Sequence, residues 1–330
     1  MNGHHPSVVR FVLKLLLYVV GLLLAVWAFG ALWFDATPAA AWGFLAAVIA
    51  ALILLRRSGR EWIVPFAGFA AVLVWWLNLA PSLDRGWSVE YSKLPWAEVD
   101  GDKLTFHDLR DFDHPEGGGE PVPRWETRTY DLSALEGMDL AVNYWGSPWI
   151  AHPIVIFRFK DAPPLAFSIE TRREQDEEYS ALAGFFRQYE LIVLAGDERD
   201  LLRGRTAKGE DIYLYATTAT PERAQRRLME YIATVNDLRN KARWYNAVTS
   251  NCTTAIRGMR RTDQMPFDWR LLINGKGDEM LYERGLLQTD GLSFDDLKAR
   301  AHINDTTDSA HDREDFSRLI REGRPGFARL

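Results

Sequence analysis

Cys252 is the residue whose type and setting most favour covalent chemistry. It is the only cysteine among 330 residues, and it follows Ser250 and Asn251, either of which is a suitable N-cap for a helix. At a helix N-terminus, unpaired backbone N–H groups and the helix dipole lower the pKa of a thiol. Those groups, with Asn251, could also hold an oxyanion. We therefore predict a cysteine nucleophile; the alternative is a small buried side chain, which is common for free cysteine.

A cysteine nucleophile needs a general base, and histidine is the usual one. Of the seven histidines, His152 is favoured because it directly precedes a β-branched and aromatic run, Ile154–Phe159, that is typical of a strand. A hydrogen-bonded structural histidine is the alternative interpretation. The other six lie in the N-terminal segment, a surface connection, a glycine-rich loop or the charged C-terminal region: His4, His5, His107, His114, His302 and His311.

Glu170 is the predicted partner that would hold the tautomer of the base. It ends a second predicted strand, Leu165–Glu170, which follows the first after a Pro163-Pro164 turn. Paired antiparallel strands bring their ends together, and Ser168 points to the same face as Glu170 because side chains alternate along a strand. Arg172 follows, and it could either neutralise Glu170 or bind an anionic group of a substrate.

The elements that must position these residues indicate an α+β fold. Two further short strands, Leu191–Leu194 and Ile212–Tyr215, are separated by polar connections, as in an antiparallel meander. A helix is predicted over Thr220–Asn240, with Thr220 as N-cap, Pro221 at its first position and an apolar face at helical spacing. Residues 82–100 are predicted to be an extended linker, and residues 295–330 a surface helix with a loose tail.

An apolar region precedes this domain. Three long apolar runs, separated by short polar breaks, each approach the roughly 20 residues that a membrane-spanning helix requires. They predict an anchor over residues 1–81 with three transmembrane helices, at about 11–34, 39–55 and 62–79. The remaining residues, 82–330, are predicted to form one domain, with its core at about 97–262 and a charged extension at 263–330.

Charge indicates which way this anchor is oriented. The only Lys and Arg residues before residue 82 precede the first run or lie between the second and third: Arg10, Lys14, Arg56, Arg57 and Arg60. Such residues stay cytoplasmic. The N-terminus is therefore predicted to be cytoplasmic, in a multi-pass protein of a bacterial inner membrane. Residues from 82 onward would lie in the periplasm.

The charge of the domain also bears on its partners. Nearly all of the acidic residues lie after residue 81, and the formal net charge of the chain is −6. An acidic domain argues against nucleic-acid binding, which needs a basic surface. No spacing of His and Cys typical of a metal site is present. We expect no metal and no cofactor; membrane lipids are the expected partners, with a lipoprotein or an envelope peptide as substrate.

The order of His, a polar residue on the next strand and then Cys resembles the circularly permuted papain-like group. That group includes the lecithin:retinol acyltransferase type and NlpC relatives. More specifically, the chain resembles the Lnb N-terminal periplasmic domain family. The matching stretches, in order, are Pro81–Trp87, Tyr144–Pro153, Ser168–Glu174, Gly184–Glu190, Asp197–Asp200 and Tyr245–Thr254.

The resemblance implies a permuted papain-like domain, with an antiparallel sheet and flanking helices, and thiol acyl transfer. Cys252 would take an acyl chain from a phospholipid as a thioester, with His152 as base and Glu170 orienting it. The substrate-binding or oxyanion candidates are Asn251, Arg172 and Ser168, and, from matched stretches beside the dyad, Trp149 and Tyr245. The alternatives are a periplasmic peptidase or amidase, and a non-catalytic binding module of the envelope whose cysteine is incidental.

Overall fold

The computed structural model describes residues 6–115, 119–246, 268–271 and 274–327. Within these ranges the chain divides into two compact units. The first contains the residues up to Ser82 together with two later segments, Tyr179–Tyr189 and Trp244–Asn246. The second contains the remaining described residues. We call them the helical unit and the globular unit.

The helical unit contains three apolar helices, which are α1 (Pro6–Asp35), α2 (Pro38–Leu55) and α3 (Ile63–Leu77). The turn between α1 and α2 stops one helix and starts the next. Thr37 is in an extended conformation, and its hydroxyl accepts a hydrogen bond from the backbone N–H of Ala40 at 3.1 Å. Pro38 occupies the first position of α2, where its missing N–H costs nothing.

Two of these helices, not three, are long and apolar enough to cross a membrane. They are Val9–Asp35, with 27 residues, and Pro38–Leu55, with 18 residues. At 1.5 Å per residue, the 15 residues of α3 extend about 22 Å, which is short of the roughly 30 Å of a hydrocarbon core. The prediction of three full transmembrane helices is therefore wrong in number, because the third apolar run is not helical along its whole length.

Helices α1 and α3 lie side by side and run in the same direction. Near the start of α3, Glu61 accepts a hydrogen bond from the hydroxyl of Tyr18 at 2.9 Å. Near its end, Trp76 donates its indole N–H to Asp35 at 2.7 Å. The C-terminal ends of α1 and α3 therefore meet on one side of the helical unit.

The globular unit is built on one eight-stranded sheet. Its strands are β1 (Trp96–Asp100), β2 (Lys103–Arg110), β3 (Trp125–Asp131), β4 (Leu135–Tyr144), β5 (Ala151–Phe159), β6 (Leu165–Arg172), β7 (Glu190–Asp197) and β8 (Asp211–Ala216). The order is β1-β2-β7-β6-β5-β4-β8, with β3 also paired to β2. All pairs are antiparallel except β2 with β7. This confirms the α+β class and the antiparallel pairing; residues 96–100 are a strand, not a linker.

The two faces of the sheet are covered by different helices. Helix α5 (Pro221–Asn240), which confirms the prediction, covers one face, where the ring of Tyr231 lies 4.7 Å from that of Phe167. Helix α4 (Glu198–Thr206) and the C-terminal region cover the other face. That second core contains Ile154 and Ile156 of β5 packed with Leu201, Ile303, Phe316 and Ile320.

The C-terminal region is not a loose tail. It forms α6 (Gly277–Glu283), α7 (Phe294–Ala301), α8 (Asn304–Ser309) and α9 (Phe316–Leu319). Arg321, only 7% exposed, pairs with Asp139 of β4 and Glu198 of α4, both fully buried. The expectation of a loose tail failed because the charged residues there alternate with apolar ones that are buried in the second core.

Candidate active site

His152 is the second residue of β5, inside the sheet, and it is 6% exposed. Directly opposite on β4 lies Asn143, in the register that pairs the two strands. Side chains of directly opposed residues share a face. His152 also shares its face with Ile154, because successive side chains alternate. The imidazole therefore lies on the face covered by α4 and the C-terminal helices.

The adjacent strand β6 supplies two partners to the imidazole. Nε2 of His152 lies 2.6 Å from Oγ of Ser168 and 3.2 Å from Oε1 of Glu170. Ser168 in turn donates its hydroxyl hydrogen to the same Oε1 at 2.6 Å. The alternation of β6 thus brings Ser168 and Glu170 to one face, as predicted from their spacing.

These contacts indicate which nitrogen of His152 carries the proton. The Ser168 hydroxyl has one hydrogen, and it donates this hydrogen to Glu170. In the contact between Ser168 and Nε2 of His152, the serine oxygen must therefore accept the hydrogen bond and the imidazole N–H must donate it. With the proton on Nε2, Nδ1 of a neutral imidazole is the basic nitrogen. Ser168 is 1% exposed, which favours a role in positioning His152 over its predicted role as a substrate or oxyanion contact.

Arg205 stabilises the negative charge of Glu170. Burial raises the pKa of Glu170, but Arg205, His152 and the Ser168 hydroxyl outweigh it and hold that pKa well below its ordinary value. The guanidinium of Arg205 donates to Oε1 of Glu170 and lies 3.6 Å from Glu210. Glu210 accepts from the amide of Asn143. The polar network that begins at Glu170 therefore ends at Asn143, the residue directly opposite His152.

Arg172 does not fill the role of neutralising Glu170. Its guanidinium donates to the backbone carbonyls of Tyr91 and Ser92 and lies 4.1 Å from the ring centre of Trp87. Burial lowers the pKa of Arg172 to about 10, against the opposing effect of Glu190. Arg172 thus joins the chain that precedes β1 to the sheet, and its predicted role toward a substrate stays a prediction.

Trp149 lies in the connection before β5 and is 51% exposed. Its carbonyl accepts a hydrogen bond from the N–H of Gly275 at 3.1 Å. The approach is so close that a Cβ atom on Gly275 would lie 2.3 Å from the carbonyl oxygen of Pro148. The C-terminal region therefore holds the loop that leads into His152, with an exposed indole beside it.

Tyr245 belongs to the helical unit, where its backbone N–H donates to the carbonyl of Tyr189 at 2.9 Å. The predicted nucleophile Cys252 and Asn251 lie outside the described residues.

Sequence reasoning missed Arg205 and Asn143. The signal available for Asn143 was a polar residue directly after the apolar run Leu140–Val142. Arg205 lies 35 positions from Glu170, and no local pattern connects the two. Within the described ranges, no group of three or more His, Cys, Asp or Glu is arranged to hold a metal ion.

Comparison with known proteins gives a family match for part of the chain. Residues 122–275 match the model of the family described as the Lnb N-terminal periplasmic domain. This range contains β3 to β8, α4 and α5, and with them His152, Ser168, Glu170 and Arg205. The chain matched no curated protein and no solved structure. A periplasmic family domain that follows apolar helices long enough to span a bilayer indicates a membrane-anchored periplasmic protein.

Proposed function

We propose that this chain, whose residues 122–275 belong to the Lnb N-terminal periplasmic domain family, is a membrane-anchored thiol acyltransferase. The observation that carries the proposal is the hydrogen-bonded relay from Arg205 through Glu170 and Ser168 to Nε2 of His152. A histidine fixed in this way presents Nδ1 as a general base, which is what a cysteine nucleophile requires. The proposal includes a permuted papain-like arrangement, with Cys252 as the nucleophile.

The proposed reaction has two steps. In the first, His152 takes the proton of Cys252, and the thiolate attacks the ester carbonyl of a phospholipid. A C–S bond forms, the ester C–O bond breaks, and the lysolipid leaves with the proton held by His152. In the second step, an amine attacks the thioester, His152 takes one amine proton, and the C–S bond breaks. The returning proton regenerates the thiol, and the product is an amide.

The proposed acceptor is the α-amino group of a lipidated protein. This choice rests on the family resemblance, which includes lipoprotein N-acylation. General base catalysis by a positioned histidine typically contributes about 10²–10⁴-fold to the rate of such steps. The membrane anchor supports a lipid donor because it confines the enzyme to the surface where phospholipids are present.

The orientation of the anchor forms part of the proposal. Positive residues near the start of α1 (Arg10 and Lys14) and between α2 and α3 favour a cytoplasmic location for the start of α1 and for the connection between α2 and α3. The C-terminal end of α1 then faces the periplasm. Helix α3 ends beside Asp35, at that same end of α1, which supports a periplasmic location for the residues that follow α3.

Metabolic labelling with an alkyne fatty acid tests this function on the full chain in membranes. We expect an adduct that hydroxylamine removes, that disappears in Cys252→Ser and that falls at least tenfold in His152→Ala. The control variant His311→Ala, at a partly exposed histidine of the C-terminal region, should label like the wild type. An adduct of equal intensity in His152→Ala would contradict the dyad. A missing adduct combined with a low pKa of the Cys252 thiol would instead favour the peptidase or amidase. A missing adduct with an ordinary thiol pKa would favour the binding module.

A further inference from the structure

Residues 179–189 are a short segment between β6 and β7 that packs with the apolar helices. Although this segment interrupts the sheet of the globular unit, it belongs to the helical unit. It contains one short turn of 3-10 helix, Ala183–Phe185, whose preceding turn is closed by a hydrogen bond from the N–H of Gly184 to the carbonyl of Ser180 at 3.1 Å. These turns give residues 180–185 a hydrogen-bonded backbone conformation.

Polar contacts fix the segment to the ends of two apolar helices. The backbone N–H of Arg187 donates to Asp35, the last residue of α1, at 3.1 Å. Its guanidinium donates to the carbonyl of Leu79, just beyond α3, at 2.6 Å and lies 4.2 Å from the ring centre of Trp76. Because Asp35 also accepts from Trp76, one carboxylate joins both helix ends to the segment.

Phe186 adds an apolar anchor. It is 7% exposed and stacks on Phe34 of α1 with ring centres 5.1 Å apart. A Cβ atom on Gly30 would lie 2.5 Å from its ring, so the absence of a side chain at Gly30 makes room for it. The segment therefore sits at the height where the apolar part of α1 ends, which is the level of the membrane–water interface.

Three other large side chains of the segment are exposed. Leu182 is 61% exposed and Phe185 is 47% exposed, with Tyr179 at 45%. Apolar and aromatic side chains clustered beside a membrane-spanning helix are typical of elements that lie in the headgroup and acyl boundary of a bilayer. Arg187 and the exposed Tyr179 supply polar groups that favour such an interface.

We propose that residues 179–189 are an interfacial lipid-binding element, in which Leu182 and Phe185 insert among the acyl chains of the outer leaflet. The occupant is the bilayer itself, because the segment packs against the helices that the bilayer surrounds and is hydrogen-bonded to their ends. The proposal rests on membrane anchoring and does not depend on the chemistry of Cys252, so either proposal can fail alone.

Fluorescence quenching tests the insertion. In a Cys252→Ser background, Leu182→Cys and Phe185→Cys are labelled with bimane and reconstituted in phosphatidylcholine vesicles. Lys208→Cys, at an exposed position of the globular unit, is the matched aqueous control. Replacing the lipid with dibrominated phosphatidylcholine should lower the emission from positions 182 and 185 at least twofold and leave that from position 208 unchanged. Equal emission with and without bromine at 182 and 185 would overturn the proposal.

A second measurement needs no substitution. A phosphatidylcholine with a diazirine in its acyl chain is photolysed in vesicles that contain the wild-type chain, and adducts are located by mass spectrometry. We expect adducts on the peptide that carries Leu182 and Phe185, in addition to those on α1 to α3. Adducts confined to the helices would contradict the proposal. Crosslinks from this peptide to a second copy in place of lipid would overturn it too.

Discussion

Nε2 of His152 lies 3.2 Å from Oε1 of Glu170, and the hydroxyl of Ser168 contacts both atoms at 2.6 Å. One imidazole nitrogen is thus held by a carboxylate directly and through a serine. The arrangement fixes the ring in orientation and in tautomer, and each of its members can be replaced separately.

The first prediction concerns the hydroxyl of Ser168. In Ser168→Ala the imidazole loses its shorter contact, so its orientation is less defined and the pKa of the Cys252 thiol should rise. Because the chain has one cysteine, the rate of alkylation by iodoacetamide as a function of pH reports that thiol alone. We expect at least tenfold slower alkylation at pH 7 and partial recovery in Ser168→Thr. Identical pH profiles for wild type and Ser168→Ala would show that Ser168 does not act through the dyad.

The second prediction concerns the charge of Glu170. Breaking a buried ion pair costs about 3–5 kcal/mol, so Glu170→Gln should destabilise the domain by roughly 3 kcal/mol near pH 7. The pKa of Glu170 in the folded state is lowered well below 4.5. Its stabilising contribution is therefore complete above pH 4.5 and is lost as the pH falls through the folded-state pKa.

Chemical denaturation between pH 7 and pH 3 measures this dependence. The difference in unfolding free energy between wild type and Glu170→Gln should shrink on acidification. Glu136→Gln is the control, because Glu136 is 44% exposed and its nearest guanidinium lies 3.7 Å away; exposed pairs contribute about 0–1 kcal/mol. A difference that is independent of pH would refute the charge-based explanation.

The third prediction uses two neighbouring glycines. In Gly275→Ala the new Cβ would overlap the backbone of Pro148 and Trp149, whereas a Cβ on Gly277 meets nothing within 4 Å. Overpacking of this kind costs about 1–3 kcal/mol. Gly275→Ala should therefore lower the melting temperature and also slow the alkylation of Cys252, since it displaces the loop that leads into His152. Gly277→Ala should change neither. Equal behaviour of the two variants would argue against a tight contact at Trp149.

The fourth prediction compares two arginines near the C-terminus. Arg321→Met leaves two buried carboxylates without their guanidinium partner, although Asp139 keeps a contact with Arg158 at 3.0 Å. The expected loss is about 3–5 kcal/mol. Arg318→Met removes only surface ion pairs, since Arg318 is 60% exposed, and should cost less than about 1 kcal/mol. Urea unfolding midpoints that shift equally in both variants would contradict the burial of Arg321.

Local patterns in the sequence were enough to predict part of the fold and the site. The alternation in β6 predicted that Ser168 and Glu170 share a face, and the pairing of two strands predicted that His152 comes within reach of Glu170. The N-cap with proline predicted α5. The ion-pair partner of Glu170 could not be predicted, because Arg205 lies in α4, 35 positions later. It comes close to Glu170 only when β7 has paired with β6 and α4 has packed on the sheet. The length of α3 was overestimated because apolar composition does not report where a helix ends. The packing of the C-terminal region could not be predicted either, because its few apolar side chains are buried against distant segments of the sheet. The many charged residues between them made the region look exposed.

The pairing of Arg321 with Glu198 also constrains the order of events during biogenesis. Glu198 is completely buried, and its guanidinium partner, Arg321, lies 123 residues later. Until Arg321 has been synthesised and exported, closing the domain over Glu198 would bury an uncompensated charge. We therefore expect the domain to close over Glu198 only after Arg321 has been translocated, however early the strands of the sheet have paired.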